Sequence, residues 1–153
     1  MFGWFKRKPA QPVTPGGDFS QVGDEAFAGL HILVDLWGVH PRRLSEPHSI
    51  LRTLERAAEA AGATILFSNA HSFEGGGVSA VVILAESHIT IHTWPERGVA
   101  TLDVFMCGKC LPSKTLSVFR DHFRPEAIHW QEIKRASTKI EKNARTPVFL
   151  VGE

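Results

Sequence analysis

The chain is organised around the stretch Gly77-Val-Ser-Ala-Val-Val-Ile-Leu-Ala-Glu-Ser-His-Ile-Thr-Ile-His-Thr-Trp-Pro-Glu96. Two runs rich in β-branched residues flank the Glu86-Ser87 peptide bond, which favours two β-strands joined by a short turn. Such a short connection makes the strands antiparallel neighbours, because a parallel return needs a crossover of about a dozen residues or more. A serine, two histidines and further hydroxyl groups lie in this segment, so we expect the chemistry here.

The segments on either side of this hairpin predict an α+β domain. An apolar run of strand length, Leu30 to Trp37, comes first. A helix of three or four turns should follow from about residue 50 to Gly62, because glycine is typical of a helix end. The other predicted strands span 64–73, 78–84, 88–94, 99–106 and 127–134, and a second helix spans 112–123. The expected fold is an antiparallel β-sheet with two main helices packed on one face.

The two ends of the chain differ in composition from this central domain. Residues 1–28 are rich in proline and glycine and predict a flexible leader, residues 29–135 make up the single domain, and residues 136–153 form a mostly polar tail. Residues 1–8 combine three aromatic with three basic side chains and could contact a membrane surface. A tail without such a contact is the simpler interpretation.

Composition and charge argue against several classes of protein. The formal net charge is +1, so no overall electrostatic attraction to nucleic acid is expected. No apolar run approaches the roughly 20 residues needed to cross a bilayer, and the N-terminus lacks the apolar region of a secretory signal. The two cysteines, Cys107 and Cys110, are too close together in sequence for a disulfide between them to stabilise the fold. A reducing, cytoplasmic location is therefore the expectation.

Two chemistries suggested by single motifs fit the pattern poorly. Cys107 and Cys110 have the C-x-x-C spacing of redox and zinc sites, but a thioredoxin-like pair opens a helix in a parallel βαβ unit. His88 and His92, the obvious further zinc ligands, would lie about 13 Å apart along a strand, so no metal site is predicted. A serine hydrolase with Ser87 as nucleophile and His92 or His88 as base would need the flanking glycines of a nucleophile elbow, which are absent.

A family resemblance is much more specific. The segment Ala85-Glu-Ser-His-Ile-Thr-Ile-His-Thr-Trp-Pro-Glu96 is similar, almost residue for residue, to the signature of the small prokaryotic S-adenosylmethionine decarboxylases. The strand before it, the run Leu102-Asp-Val-Phe-Met-Cys-Gly108 after it, and Val34-Asp-Leu-Trp-Gly38 also resemble that family. The resemblance covers roughly residues 30–135, which leaves the leader and the tail outside.

The resemblance implies a proenzyme that cuts itself between Glu86 and Ser87. In that family the serine hydroxyl attacks the preceding carbonyl, and elimination followed by hydrolysis leaves a covalent pyruvoyl group in place of Ser87. His92 matches the family's base in processing, and Ser79 matches a hydroxyl that assists it. Five residues of regular strand would place Ser87 and His92 on opposite faces, so a break in the strand at Glu86-Ser87 is expected.

The resemblance also implies the reaction of the mature enzyme. Its pyruvoyl group forms a Schiff base with S-adenosylmethionine, and the decarboxylated product serves spermidine synthesis. Cys107 matches the family's general acid, whereas Cys110 matches no catalytic position. Phe73 matches the aromatic residue that stacks on adenine, and Trp94 and Glu96 lie where the family places substrate-pocket residues. The family's active site lies at a two-fold interface, which implies a homodimeric sandwich.

Departures from the family pattern leave alternatives open. After Pro95-Glu96 the family continues with an aromatic residue, glycine and a second aromatic residue, whereas this chain has Arg97-Gly98-Val99. Such changes could reshape the substrate pocket, so a pyruvoyl-dependent decarboxylase of ornithine or arginine is the alternative enzyme. A non-catalytic paralogue that keeps the fold as a binding subunit is the alternative outside enzymes, although the residues of cleavage and protonation are all retained.

Overall fold

A computed structural model describes residues 29–135. The predictions for residues 1–28 and 136–153, which concern the leader, the tail and the membrane contact, lie outside the described residues. The β-strands are β1 (Gly29–Trp37), β2 (Ile65–Ser72), β3 (Val78–Leu84), β4 (Ser87–Trp94), β5 (Val99–Met106) and β6 (Ala127–Arg135). The α-helices are α1 (Pro41–Leu44), α2 (Pro47–Ala60) and α3 (Thr115–Phe123), and 3₁₀ turns span Pro95–Arg97 and Pro112–Lys114. None of the described helices is long and apolar enough to cross a membrane.

All six strands form one antiparallel sheet in the order β2-β3-β4-β5-β1-β6. Strands β2 to β5 follow one another as a meander, as the short connections predicted. Strand β1 pairs with β5 on one side and with β6 on the other. Strands β2 and β6 therefore form the two edges of the sheet. The predicted α+β class and antiparallel sheet are confirmed.

One face of the sheet is covered by α2 and α3 and contains the core. Helix α2 contributes Ile50, Leu54, Ala57 and Ala58, all completely buried. Alternate strand residues meet these side chains, because successive residues of a strand point to opposite faces. Their burial is the main source of stability, since a fully buried aliphatic side chain contributes about 1.5–3 kcal/mol. The helices pack on one face, as predicted.

The opposite face, here called the open face, is covered by no described helix. It carries the strand residues that alternate with the core, and these are half-buried or exposed: His31, Leu33, Asp35, Ser79, Val81, Ile83, His88, Thr90, His92, Thr101, Asp103 and Phe105. Histidines, hydroxyl groups and acids are unusually frequent in this set. The sheet therefore places the candidate chemistry on the side away from the helices.

The structure differs from the sequence prediction at short elements. The one-turn helix α1 was missed, because four residues are too few to show helical periodicity, although Pro41 stands at its first turn. The second predicted helix begins as the 3₁₀ turn Pro112–Lys114 and becomes α-helical only at Thr115. Strand β4 begins at Ser87, one residue earlier than predicted, so the connection from β3 is the two-residue loop Ala85-Glu86.

Candidate active site

The turn between β3 and β4 places backbone strain on Ser87. Two-residue hairpin loops favour turns that need positive φ within the loop, and glycine or asparagine usually provides it. The loop here is Ala85-Glu86, and neither residue has a positive φ. Ser87 instead adopts φ 139°, a region that costs a residue with a side chain about 1–3 kcal/mol. The backbone thus leaves regular strand geometry at this serine.

Hydrogen bonds hold Glu86 at both its carbonyl and its carboxylate. The backbone N–H of Cys107, at the end of β5, donates to the Glu86 carbonyl oxygen at 3.1 Å. Thr64 donates its backbone N–H to Oε2 of Glu86 at 2.9 Å and its hydroxyl to Oε1 at 3.2 Å. A fixed N–H aimed at a carbonyl oxygen can stabilise negative charge that develops there during attack on the carbonyl carbon.

His88 is the histidine that the structure brings to Ser87. Its Nδ1 lies 3.3 Å from the Ser87 hydroxyl oxygen. Burial lowers the pKa of His88 and the neighbouring His31 lowers it further, while Asp103 acts in the opposite direction. Its imidazole is therefore neutral at physiological pH and able to accept a proton. The sequence had suggested His88 only as the base of a serine hydrolase or as a zinc ligand.

Ser79 and His92 form a second group at the other end of β4. They face each other across β3 and β4, and the Ser79 hydroxyl lies 2.7 Å from Nδ1 of His92. The Trp94 ring follows on the same strand, 6.4 Å from the His92 ring between centroids. Phe73 lies just beyond β2 with its ring 4.8 Å from that of His71, and it is 54% exposed. Glu96 is exposed in the 3₁₀ turn that follows Trp94.

The predicted site residues, together with His88, thus fall into two groups within one chain. The cleavage group is Glu86, Ser87, His88 and Cys107, and the histidine group is Phe73, Ser79, His92, Trp94 and Glu96. Ser87 and His92 are five residues apart on one strand, a separation of about 16 Å at 3.3 Å per residue. The break at Ser87 is present, but it does not bring His92 to Ser87 within one chain.

A polar network on the open face lies beside the cleavage group. Nε2 of His31 lies 3.2 Å from Oδ1 of Asp103, and the Thr90 hydroxyl donates to Oδ2 of the same carboxylate at 3.4 Å. Arg135 lies 3.0 Å from Nδ1 of His31. An arginine can only donate, so Nδ1 accepts and the His31 proton lies on Nε2, directed at Asp103.

The sequence analysis missed this network because its members come from four strands. The alternation of β1 and β5 could have placed His31 and Asp103 on one face, but only the pairing of these two strands makes them neighbours. Along β4, His88 and His92 lie on the same face about 13 Å apart. Among residues 29–135 no three histidine, cysteine or acidic side chains are grouped as a metal ion would require.

Comparisons with known proteins agree on one family. The model of the S-adenosylmethionine decarboxylase family matches residues 30–136. The S-adenosylmethionine decarboxylase proenzyme of Methanococcus vannielii is 40% identical over 115 residues, which cover 74% of this chain and 94% of that protein. The proenzyme of Parasynechococcus marenigrum is 39% identical over 128 residues, covering 82% of this chain and all of that protein (100%).

A solved structure extends the similarity to three dimensions. The crystal structure of the adenosylmethionine decarboxylase from Aquifex aeolicus superposes with a TM-score of 0.68 at 38% sequence identity. The match covers 76% of this chain and 98% of that one. The sequence and fold comparisons agree, and the chain therefore belongs to the S-adenosylmethionine decarboxylase family.

Proposed function

We propose that this chain is made as a proenzyme that cuts itself between Glu86 and Ser87 and then acts as a carboxy-lyase on S-adenosylmethionine. The product would be the aminopropyl donor for spermidine synthesis. Family membership supports the reaction and the substrate. The single observation that carries self-cleavage is the strained φ of 139° at Ser87, next to a carbonyl that already accepts the Cys107 N–H.

Cleavage begins with attack of the Ser87 hydroxyl on the carbonyl carbon of Glu86. A base must take the hydroxyl proton, and the Cys107 N–H stabilises the negative charge that develops on the carbonyl oxygen. Thr64 holds the Glu86 carboxylate, which restrains this residue and helps to keep its backbone carbonyl against the Cys107 N–H. The attack replaces the Glu86-Ser87 amide by an ester and releases the strain stored at Ser87. Elimination from Ser87 then separates the two pieces.

The residues around position 87 fit a pyruvoyl group derived from Ser87. Such a group supplies an electron sink for the loss of carbon dioxide. Cys107 is half-buried beside this position, and its thiol is the proton donor to the carbon that loses the carboxylate. The exposed aromatic faces of Phe73 and Trp94 suit adenine and a positively charged sulfonium, and Glu96 offers two oxygens to ribose hydroxyls.

A homodimer is needed to bring the two groups together. One chain separates Ser87 by about 16 Å from His92, the histidine that matches the family's base in processing. A two-fold arrangement with open face against open face places each cleavage group against the histidine group of the second copy. Exposed apolar side chains on this face support such a contact, for example Ile83 at 39% and Phe67, its partner across β2 and β3, at 44%. The dimer would have two composite active sites.

The alternative substrates and the non-catalytic role are less well supported. None of the relatives reported above carries the name of an ornithine or arginine decarboxylase. Release of labelled carbon dioxide from S-adenosylmethionine, ornithine and arginine separates these substrates, and turnover of an amino acid alone would contradict the proposal.

Two free cysteine thiols near the active site suit a reducing cytoplasmic compartment, where we place the enzyme.

Intact mass of the purified protein tests self-cleavage. The 16.9 kDa chain should give residues 1–86 and a second piece that begins at position 87 with a pyruvoyl end. Ser87→Ala should remain whole, whereas the matched control Ser117→Ala, at an exposed position of α3, should be cut like the parent. A single uncut species in the parent, under conditions in which it is folded, would count against the proposal.

A further inference from the structure

Cys107 and Cys110 stand at the two ends of a tight turn. The turn residues are Gly108, with φ 69°, and Lys109. A four-residue turn brings its terminal Cα atoms within about 7 Å. Disulfides join cysteines whose Cα atoms are about 4.4–6.8 Å apart, so the turn holds the two residues within bonding range. Both thiols are free and half-buried.

The C-terminal end of α2 fixes the position of Cys110. The thiol donates to the Gly62 carbonyl at 3.6 Å, and the N–H of the next residue, Leu111, donates to the Ala61 carbonyl at 3.0 Å. Burial raises the pKa of the Cys110 thiol, and the nearby Glu86 and Cys107 raise it further. Cys110 therefore keeps its proton and is less readily oxidised by peroxide itself, and the reaction described above gives it no role.

We propose that Cys110 is a resolving thiol that converts oxidised Cys107 into a reversible Cys107–Cys110 disulfide. The oxidant is hydrogen peroxide. The Cys107 thiolate attacks one peroxide oxygen, so an S–O bond forms, the O–O bond breaks, and hydroxide leaves, giving a sulfenic acid. The Cys110 sulfur then attacks the Cys107 sulfur; the S–S bond forms, the S–OH bond breaks, and the Cys110 proton leaves with hydroxide as water.

This modification has two consequences for the enzyme. The disulfide removes the thiol proton of Cys107, so decarboxylation stops; this part rests on the proposed role of Cys107. The disulfide also protects Cys107, because a sulfenic acid without a partner thiol proceeds to sulfinic acid, which simple thiols do not reverse. A dithiol reductant restores both cysteines by thiol–disulfide exchange.

The test uses the processed enzyme exposed to hydrogen peroxide. In the parent, the piece that begins at position 87 should lose the mass of two hydrogen atoms, and peptide mapping should link Cys107 to Cys110. Activity should fall and return after treatment with dithiothreitol. The Cys110→Ser variant keeps a donor toward Gly62, and before oxidation its activity should match that of the parent. After peroxide, its Cys107 should gain two oxygens as sulfinic acid. Reductant should then recover about tenfold less activity than in the parent.

Three outcomes would overturn the proposal: sulfinic acid at Cys107 in the parent, no linked peptide, or equal recovery in Cys110→Ser and the parent. Cys110→Ala serves as a second variant if the serine disturbs the turn. The mass of the disulfide is independent of turnover, so it remains informative if the decarboxylase assignment fails. A linked peptide with full activity would reject the acid role of Cys107 and leave the disulfide site standing.

Discussion

The backbone N–H of Cys107 lies 3.1 Å from the carbonyl oxygen of Glu86, which places the end of β5 directly against the turn between β3 and β4. One residue thus offers two different groups to the proposed chemistry. Its N–H faces the carbonyl that is attacked in the proposed cleavage, and its thiol is the proposed proton donor to the carbon that loses the carboxylate. Since a side-chain substitution leaves the N–H in place, the two roles can be separated.

Cys107→Ala should therefore cut itself but decarboxylate poorly. Cleavage should proceed within a few-fold of the parent rate, whereas turnover should fall by about 10²–10⁴-fold, the usual contribution of a positioned acid. A denaturing gel follows cleavage, and carbon dioxide release follows turnover. Near-normal turnover would remove Cys107 from the acid role, and an uncut chain would show that cleavage requires the thiol itself.

Thr64→Val should slow self-cleavage. The substitution removes the 3.2 Å hydroxyl bond to the Glu86 carboxylate and leaves the backbone N–H bond. Loss of about 1 kcal/mol of positioning, typical of one hydrogen bond, corresponds to a rate about fivefold lower. The time course of cleavage after cell-free synthesis measures this rate. An exposed hydroxyl of α3, removed in Ser117→Ala, provides the control, and equal rates for both variants would contradict a positioning role for Thr64.

Composite sites predict complementation between two inactive variants. Ser87→Ala and His92→Ala should each stay uncut when made alone. When they are co-expressed with different tags, the His92→Ala chain should be cut in mixed dimers, because it receives His92 of the other copy. At equal expression about half of the His92→Ala chains would be in such dimers. Absence of any cut chain, with mixed dimers present on affinity purification, would rule out this arrangement.

His122 should make the fold less stable in acid. Its Nε2 is buried without a hydrogen-bond partner in the described structure, and burial, followed by Arg43 and Arg56, lowers its pKa. Because the unfolded chain binds the proton more readily, stability is complete above the ordinary histidine pKa of about 6.5 and is lost as pH falls through the lower pKa of the folded state. His88 acts in the same direction.

Urea unfolding of the uncut Ser87→Ala protein at about pH 7.5 and pH 5.5 measures this effect. Replacing His122 by phenylalanine keeps a ring against Phe123, which the imidazole now contacts at 4.7 Å between centroids. The variant should lose less stability than its parent between the two pH values, with His88 accounting for part of the remaining loss. Parallel losses in both proteins would show that His122 does not contribute.

Much of this architecture could be read from local patterns. Strands β3 and β5 were predicted with their observed bounds, because β-branched alternation and short polar turns are properties of neighbouring residues. The position of β1 between β5 and β6 could not be predicted in this way, since it depends on pairings across more than 60 residues of sequence, such as Leu30 with Met106. The His31–Asp103 contact was missed for the same reason.

The candidate site shows the same division. Most of the candidate residues were proposed from the family resemblance, and a break at Ser87 was expected from the count of strand residues. The φ of 139° was not, because it depends on how a loop without glycine closes a two-residue turn. The number of residues between Ser87 and His92 predicted that a regular strand would place them on opposite faces. It did not lead to the further inference that their distance along β4 requires His92 to come from a second chain.

The eight-residue length of β4 also sets the distance between Ser87 and His92. If each copy supplies Ser87 to one site and His92 to the other, the strand sets the spacing of two active sites at once. Removing one residue would turn His92 to the core face, and removing two would shorten the span by about 6.6 Å and misalign both sites together. Length variation in this fold should therefore be confined to the connections outside β4.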